Sequence, residues 1–147
     1  MEYIKDEKLL EKFKKDQHIQ LLCGNKIVTD LVIKNGKLTY VKYSEDFNEQ
    51  LFGYEPIDFE YLYIIFESRI FENNNPKKTE KLLLFYGLNE YDVYDILKIT
   101  HGVQDNDEFW FKFDKEIEND NIRRSDFVKL INPTLKEFRE KTGVDYV

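Results

Sequence analysis

The sequence predicts a single α+β domain, with an N-terminal antiparallel hairpin sheet, a helical middle and a C-terminal strand followed by a helix. Three apolar segments near the N-terminus are separated by Gly24-Asn25 and by Asn35-Gly36. The pair Asn-Gly is a strong hairpin signal, because a type I′ turn requires positive φ at both of its positions. Farther along, apolar residues recur at steps of three and four, which is the spacing of helices. A length of 147 residues without a long linker favours one domain.

An amphipathic helix is predicted for residues 5–16, ahead of the sheet. Leu9, Leu10 and Phe13 fall on one side of it, with Lys and Glu at other positions. We expect this helix to pack on the sheet. The three strands read HIQLLC, KIVTDLVI and KLTYVKYS. Because the middle strand alternates apolar and polar residues only partly, both of its faces are expected to be covered.

Helices are predicted in the middle and C-terminal parts of the chain, and Asn, Pro or Gly marks the breaks between them. Asp58 is the expected N-cap of the first of these helices, and His101-Gly102 is the expected end of the third. The predicted helices span residues 59–70, 76–86, 92–100, a turn from 125 or 126 to 131, and 133–142.

The segment EFWFKF is predicted to be a strand. Its period of two places three Phe residues on one face and Trp110 on the other. An outward Trp110 flanked by an acid and a lysine has the composition of an interface hot spot. The alternative is that the C-terminal helix covers Trp110 through Leu135 and Phe138.

Residues 87–120 carry the excess negative charge of the chain. They contain ten acidic residues against three lysines, a balance of −7 that equals the net charge of the whole protein. Phosphate backbones bind proteins chiefly through Lys and Arg, so this charge predicts a basic protein partner and no direct nucleic-acid binding. The residues expected to contact the partner are Tyr91, Asp92, Asp95, Asp105, Asp107, Glu108, Trp110 and Asp114.

Side chains typical of catalysis are few. His18 and His101 are the only histidines; His101 is expected at a helix end, where a cation is favourable, and His18 is expected to face solvent. Cys23 stands alone, which leaves no internal disulfide and no thiolate cluster. No catalytic residue, metal site or cofactor is therefore predicted. Carboxylates such as Asp105 and Asp107 leave a small metal-dependent enzyme open as an alternative.

The expected location is the cytoplasm, without membrane contact. The N-terminal sequence carries charges of both signs from its start, whereas a secretory signal has an uninterrupted apolar stretch. The longest apolar run, residues 59–71, is interrupted by charged residues. It is also shorter than the roughly 20 residues of a membrane span.

The segment from Phe66 to Phe113 resembles one found in small proteins of Firmicutes and their mobile elements and, more distantly, the N-terminal accessory subdomain of HipA-type toxin kinases. In those kinases, the catalytic Asp and the phosphate-binding loop belong to a larger C-terminal region. Val93 stands where a Pro commonly follows the Asp of the turn. The resemblance implies a detached subdomain that binds and restrains a kinase. Its most specific matches are Gly87-Leu88, Tyr91-Asp92, Ile96-Leu97, Thr100, Gly102 and residues 107–110.

Two classes of function follow. The first is a non-catalytic regulatory binding module, antitoxin-like or inhibitory, whose acidic aromatic face engages a toxin kinase, a nuclease or a nucleic-acid-binding effector. A variant of this class is a phage or mobile-element inhibitor of anti-CRISPR type, which presents carboxylates where phosphates would lie. The second class is the metal-dependent enzyme. Binding to a basic partner should weaken with salt, whereas a metal enzyme should respond to divalent cations.

Overall fold

The computed structural model describes residues 7–144, with side chains described from residue 11 onward. Helices and strands follow one another as an α+β fold, which confirms the predicted fold class. Short 3₁₀ turns lie at Phe47–Glu49, Asp114–Glu118 and Arg124–Asp126. The elements are α1 (Glu7–Lys14), β1 (Gln17–Cys23), β2 (Lys26–Lys34), β3 (Lys37–Lys42), α2 (Phe59–Ser68), α3 (Pro76–Tyr86), α4 (Val93–Thr100), β4 (Phe109–Phe113), α5 (Val128–Ile131) and α6 (Leu135–Thr142).

The four strands form one antiparallel sheet in the order β3-β2-β1-β4. The turn between β2 and β3 is the predicted one, since Asn35 and Gly36 have φ of 53° and 75°. Strand β4 pairs along the other side of β1, with Ile19 opposite Phe113 and Cys23 opposite Phe109. The predicted C-terminal strand thus completes the N-terminal hairpin sheet.

The main core lies between one face of the sheet and the helices. Phe111 of β4 meets Phe66 of α2 edge to face, with ring centroids 5.0 Å apart. Phe13 of α1 contacts rings of α2 and α4, including Phe66 at 5.5 Å and Tyr94 at 5.1 Å. Helix α1 therefore packs mainly against α2 and α4, whereas the sequence predicted packing on the sheet. The predicted contributions of Leu9 and Leu10, and of residues 5 and 6, lie outside what the structure describes.

The helix ends follow local signals. Asp58 accepts a hydrogen bond from the Tyr61 backbone N–H at the start of α2, as predicted, and His101 ends α4 with φ of 57°. Several ends differ from the prediction by one to three residues: α1 ends at Lys14, α4 begins at Val93 and α5 begins at Val128. Helix α2 ends at Ser68 because Arg69 leaves the helix, and α6 begins at Leu135 because the preceding Thr is its N-cap. None of the helices in residues 7–144 has the length and apolar character that crossing a bilayer requires.

The second face of the sheet is covered over β4 and open over β2, which reverses the prediction for both strands. Trp110 is 1% exposed and packs in a second cluster with Leu22 and Val103. On β2, Ile27 and Val32 are exposed. The cause is tertiary: the segment that ends in α5 folds back over β4, so a period of two no longer separates inside from outside.

Trp110 therefore does not face solvent, and Leu135 and Phe138 are not the residues that cover it. Its indole N–H donates to the Gly24 carbonyl at 2.7 Å, and its ring lies 6.2 Å from that of Phe127. Leu135 is exposed, and Phe138 stacks on Phe85 in the main core at 6.1 Å. Both the outward orientation of Trp110 and its cover by α6 are wrong.

The guanidinium of Arg69 connects the end of α2 to the loop before β4. Its Nε–H donates to the Gly102 carbonyl at 2.9 Å. One terminal nitrogen donates to Gln104 at 3.1 Å and to Asp107 at 2.6 Å. The other donates to Asp107 at 2.8 Å and to the Phe109 carbonyl at 3.1 Å. All five N–H donors of this buried side chain thus have acceptors.

The same loop is held from its other side. Arg124 donates to the carbonyls of Gln104 and Asp107 at 2.6 and 2.7 Å. Burial alone would raise the pKa of Asp107, but its hydrogen bonds and charge interaction with Arg69 hold that pKa below the ordinary value. Gly102 completes the connection, because it has φ of 68° and an added Cβ would lie 2.9 Å from the Phe111 ring.

We expect Arg69→Met to lower the free energy of unfolding by roughly 3–5 kcal/mol, because it leaves Asp107 and two backbone carbonyls without their buried donor. Urea unfolding measures this loss. The matched control is Arg123→Met, since Arg123 is exposed and should change stability by no more than about 0.5 kcal/mol. Equal stability of the two variants would show that the Arg69 ion pair does not hold this loop.

Stability should fall in acid through Asp107 and Glu116. Glu116 resembles Asp107. Burial raises the pKa of Glu116, but the hydrogen bond and charge of His101 lower it by more, so the net pKa lies below its ordinary 4.5. A carboxyl with a lowered folded-state pKa stabilises the protein above its ordinary pKa, and this stabilisation is lost as the pH falls through the folded-state value.

The free energy of unfolding, measured in urea from about pH 6 to about pH 2, should therefore decrease below about pH 4.5. In Asp107→Asn the slope should be smaller by up to about 1.4 kcal/mol per pH unit, because one proton less is taken up on unfolding. A slope unchanged by Asp107→Asn would contradict the lowered pKa.

Candidate partner-binding surface

Three of the candidate carboxylates lie around the start of α4 and the end of β4, each near a lysine. Lys12 contacts Asp92 at 2.6 Å and Asp95 at 3.1 Å, and its hydrogen bond to Asp92 raises the pKa of Lys12. Lys98 lies 3.8 Å from Asp114. Asp92 is buried and caps α4. These acids are largely neutralised within the molecule.

Tyr91 and Asp107 also have internal roles. The Tyr91 hydroxyl donates to the Phe71 carbonyl at 2.7 Å, and the two rings meet edge to face at 5.3 Å. Both carboxylate oxygens of Asp107 accept hydrogen bonds from Arg69. With Trp110 buried, the eight candidates do not form the single outward face that the sequence predicted.

Asp105 and Glu108 differ from exposed Asp114, which lies near Lys98. Both are exposed, and neither forms an ion pair with any residue in the described part of the chain. They belong to the loop that Arg69 and Arg124 hold from inside, so their backbone is fixed although their side chains are in solvent. Glu108 lies just before the start of β4, where its carbonyl accepts from the Gly24 N–H at 2.9 Å.

The loop after β3 places further acids and an aromatic ring at the surface. Phe47 is 89% exposed, between Glu45 and Asp46 on one side and Glu49 on the other. Asp46 caps the 3₁₀ turn through the Asn48 N–H. Glu49 accepts from Ser44 at 2.5 Å and from Lys26 at 2.8 Å. The exposed ring is therefore carried on a turn with its own hydrogen bonds.

This turn and Glu108 lie at the same end of the sheet. Cys23, the last residue of β1, pairs with Lys26, which contacts Glu49 at 2.8 Å, and the neighbouring Gly24 N–H donates to the Glu108 carbonyl. Burial, and then the carboxylates of Glu49 and Glu108, raise the pKa of the Cys23 thiol, which leaves less of the nucleophilic thiolate. We call Glu45, Asp46, Phe47, Glu49 and Glu108 the sheet-end patch. It holds four carboxylates, one of which is paired with Lys26.

Sequence reasoning missed the sheet-end patch. The signal was the string SEDFNE, in which an Asp able to cap a turn precedes an isolated Phe among acids. One apolar residue in a short turn has no period, so no pattern assigned Phe47 to the inside or to the outside. Phe47 and Glu108 lie at the same end of the sheet because β1 pairs with β4. That pairing joins distant parts of the sequence.

A polar cluster occupies the open part of the second sheet face. Asp30 accepts from His18 at 2.8 Å, Gln20 at 3.1 Å and Tyr43 at 2.5 Å. Burial would raise the pKa of Asp30, but these hydrogen bonds hold it below the ordinary value. His18 is half-buried, with 39% of its side chain exposed. Within residues 11–144, no three side chains of His, Cys, Asp or Glu are grouped so that they could hold a metal ion.

Comparison with known proteins gave no relative. No protein-family model, no curated protein and no solved structure matches the chain. The resemblance of residues 66–113 to the accessory subdomain of toxin kinases stays a prediction.

Proposed function

We propose that this protein is a non-catalytic regulatory module that binds a basic partner protein through the sheet-end patch. The observation that carries the proposal is the 89% exposure of Phe47 among carboxylates. An exposed large aromatic ring is an anchor of the kind that dominates interface energetics once it is desolvated. The surrounding carboxylates would accelerate association with a positively charged surface and orient it.

The internal roles of the other acids support this choice of surface. Asp92 and Asp107 have buried or internal partners, so reversing their charge would disturb the fold before it affected a partner. In the sheet-end patch, Glu45, Asp46 and Glu108 are exposed and form no ion pair within the described residues, although Asp46 also caps the 3₁₀ turn. Their charge is free to act on another molecule.

Residues on which the resemblance to the toxin-kinase subdomain rests have structural roles in this protein. Gly87 ends α3 in the left-handed conformation, Asp92 caps α4, and Gly102 makes room for Phe111. A related sequence would keep these residues to build the same helices and turn. Restraint of a kinase, in the manner of an antitoxin, is therefore one form of the proposal and rests on the resemblance alone.

A second form is an inhibitor that occupies a nucleic-acid channel. Such channels combine a basic groove with surfaces on which bases stack. A nucleic acid presents negative phosphates and flat bases to such a channel. Asp46 and Phe47 likewise present a carboxylate beside an exposed aromatic ring. Competition with single-stranded nucleic acid for the purified partner separates this form from restraint of a kinase.

The combined variant Glu45→Lys and Glu108→Lys, which leaves the cap Asp46 in place, should weaken partner binding at least about tenfold, because it cancels the negative charge of the four carboxylates in the sheet-end patch. A pull-down from the native host with the wild-type chain identifies the partner, and calorimetry with the purified partner measures the affinity. Wild-type affinity should also fall as salt is added.

The control reverses two exposed acids elsewhere, at Glu80 and Glu90. It changes net charge equally, so a general effect of charge would weaken binding in both variants. Equal loss in the two variants, or no loss in the first, would rule out the sheet-end patch as the binding surface.

Phe47→Ser should lower affinity by roughly 2 kcal/mol or more, since truncation of a central aromatic anchor has this effect. Its stability in urea should stay within about 0.5 kcal/mol of wild type, because the ring packs on little of its own chain. The matched control is Tyr54→Ser, which removes another exposed ring, 80% exposed and outside the patch. If Tyr54→Ser weakens binding as much as Phe47→Ser, the anchor is elsewhere.

A further inference from the structure

A groove of about 420 Å³ opens on the second face of the sheet, on the side of β1 and β4 away from the main core. The segment that includes Ile117, Ile122 and Arg123 forms its outer wall. Gln20, Trp110 and Lys112 form its inner wall. The volume is within the range of about 300–1,000 Å³ that is usual for small-molecule sites.

Lys112 is the unusual residue of this groove. It is only 5% exposed, and its ammonium donates one hydrogen bond, to the Asn119 carbonyl at 3.0 Å. It also lies 5.5 Å from the centre of the Trp110 ring. No carboxylate in the described part of the chain pairs with it, so two of its three N–H donors have no protein acceptor. This buried ammonium therefore still has donors available to an acidic group in the groove.

The remaining polar groups of the groove favour a negative ligand. Arg123 lines the groove, is exposed and has no ion pair within the described residues. The amide nitrogen of Gln20 is held by Asp30 at 3.1 Å, which fixes the orientation of that amide at the groove wall. Asp120 is the one acid among the lining residues. Two cations against one acid is the reverse of the balance of the whole chain, whose net charge is −7.

Apart from Asn25, the rest of the lining is apolar, with Ile27, Ile117 and Ile122 nearest to solvent. We propose that this groove binds a small organic anion, in which a carboxylate or phosphate group accepts from Lys112 and Arg123 while an apolar body lies against the isoleucines. Charge-assisted hydrogen bonds to the two cations would fix the negative group. The groove shares no lining residue with the sheet-end patch, and its proposal does not depend on the proposed function.

Trp110 is the only Trp of the chain and lines the groove, so its fluorescence reports ligand binding there. The probes are benzoate, phenyl phosphate and the uncharged benzyl alcohol. We expect a saturable change with benzoate or phenyl phosphate at concentrations up to about 10 mM and none with benzyl alcohol. A response to benzoate alone assigns a carboxylate ligand, and a response to phenyl phosphate alone assigns a phosphate.

Lys112→Met keeps the apolar stem and removes the charge, and it should weaken the anion at least about tenfold. Arg123→Gln changes an exposed residue and should weaken it several-fold without affecting the thermal unfolding midpoint, which keeps the test open if Lys112→Met is unstable. Lys136→Met, on α6, is the control that should bind as wild type. No saturable response to either anion, equal binding of benzyl alcohol, or anion binding unchanged by Arg123→Gln would overturn the proposal.

Discussion

The guanidinium of Arg69 is the interaction on which the rest of the structure depends. It lies between α2 and the connection from α4 to β4, and it contacts that connection at Gly102, Gln104, Asp107 and Phe109. Burying a cation is unfavourable unless every donor is satisfied, and here the loop supplies all of the acceptors. The position of this loop in turn sets where β4 begins and how it meets β1.

Ion pairs within the protein determine which acidic side chains are available to contact a partner. The acidic segment of the sequence is divided between carboxylates that Arg69, Lys12 and Lys98 engage and those left in solvent. The loop after β3 adds acids from a different part of the sequence, and strand pairing brings Glu108 next to them. The surface with free negative charge and an exposed ring is therefore assembled from residues far apart in the chain.

Local features were predictable, and non-local ones were not. Asn35-Gly36, Asp58 and His101 shape a few neighbouring residues, so the sequence was sufficient to place the hairpin and two helix ends. Trp110 was misplaced because the segment that ends in α5 covers the second face of β4, and no strand pattern contains that information. Phe47 is an isolated apolar residue in a short turn, so no repeating pattern could predict its exposure. In the candidate site, Asp105, Glu108 and Asp114 keep the exposure expected of them, but Asp114 is paired with Lys98.

The most direct test of this account is nuclear magnetic resonance of the Arg69 side chain in the wild-type protein. Its Nε–H and terminal N–H groups are all hydrogen bonded in a buried site, so they should exchange slowly with water. Because Asp107 binds both terminal nitrogens, rotation of the guanidinium should be restricted, which gives separate signals for its N–H groups. Exchange as fast as in free arginine, with averaged signals, would contradict the account.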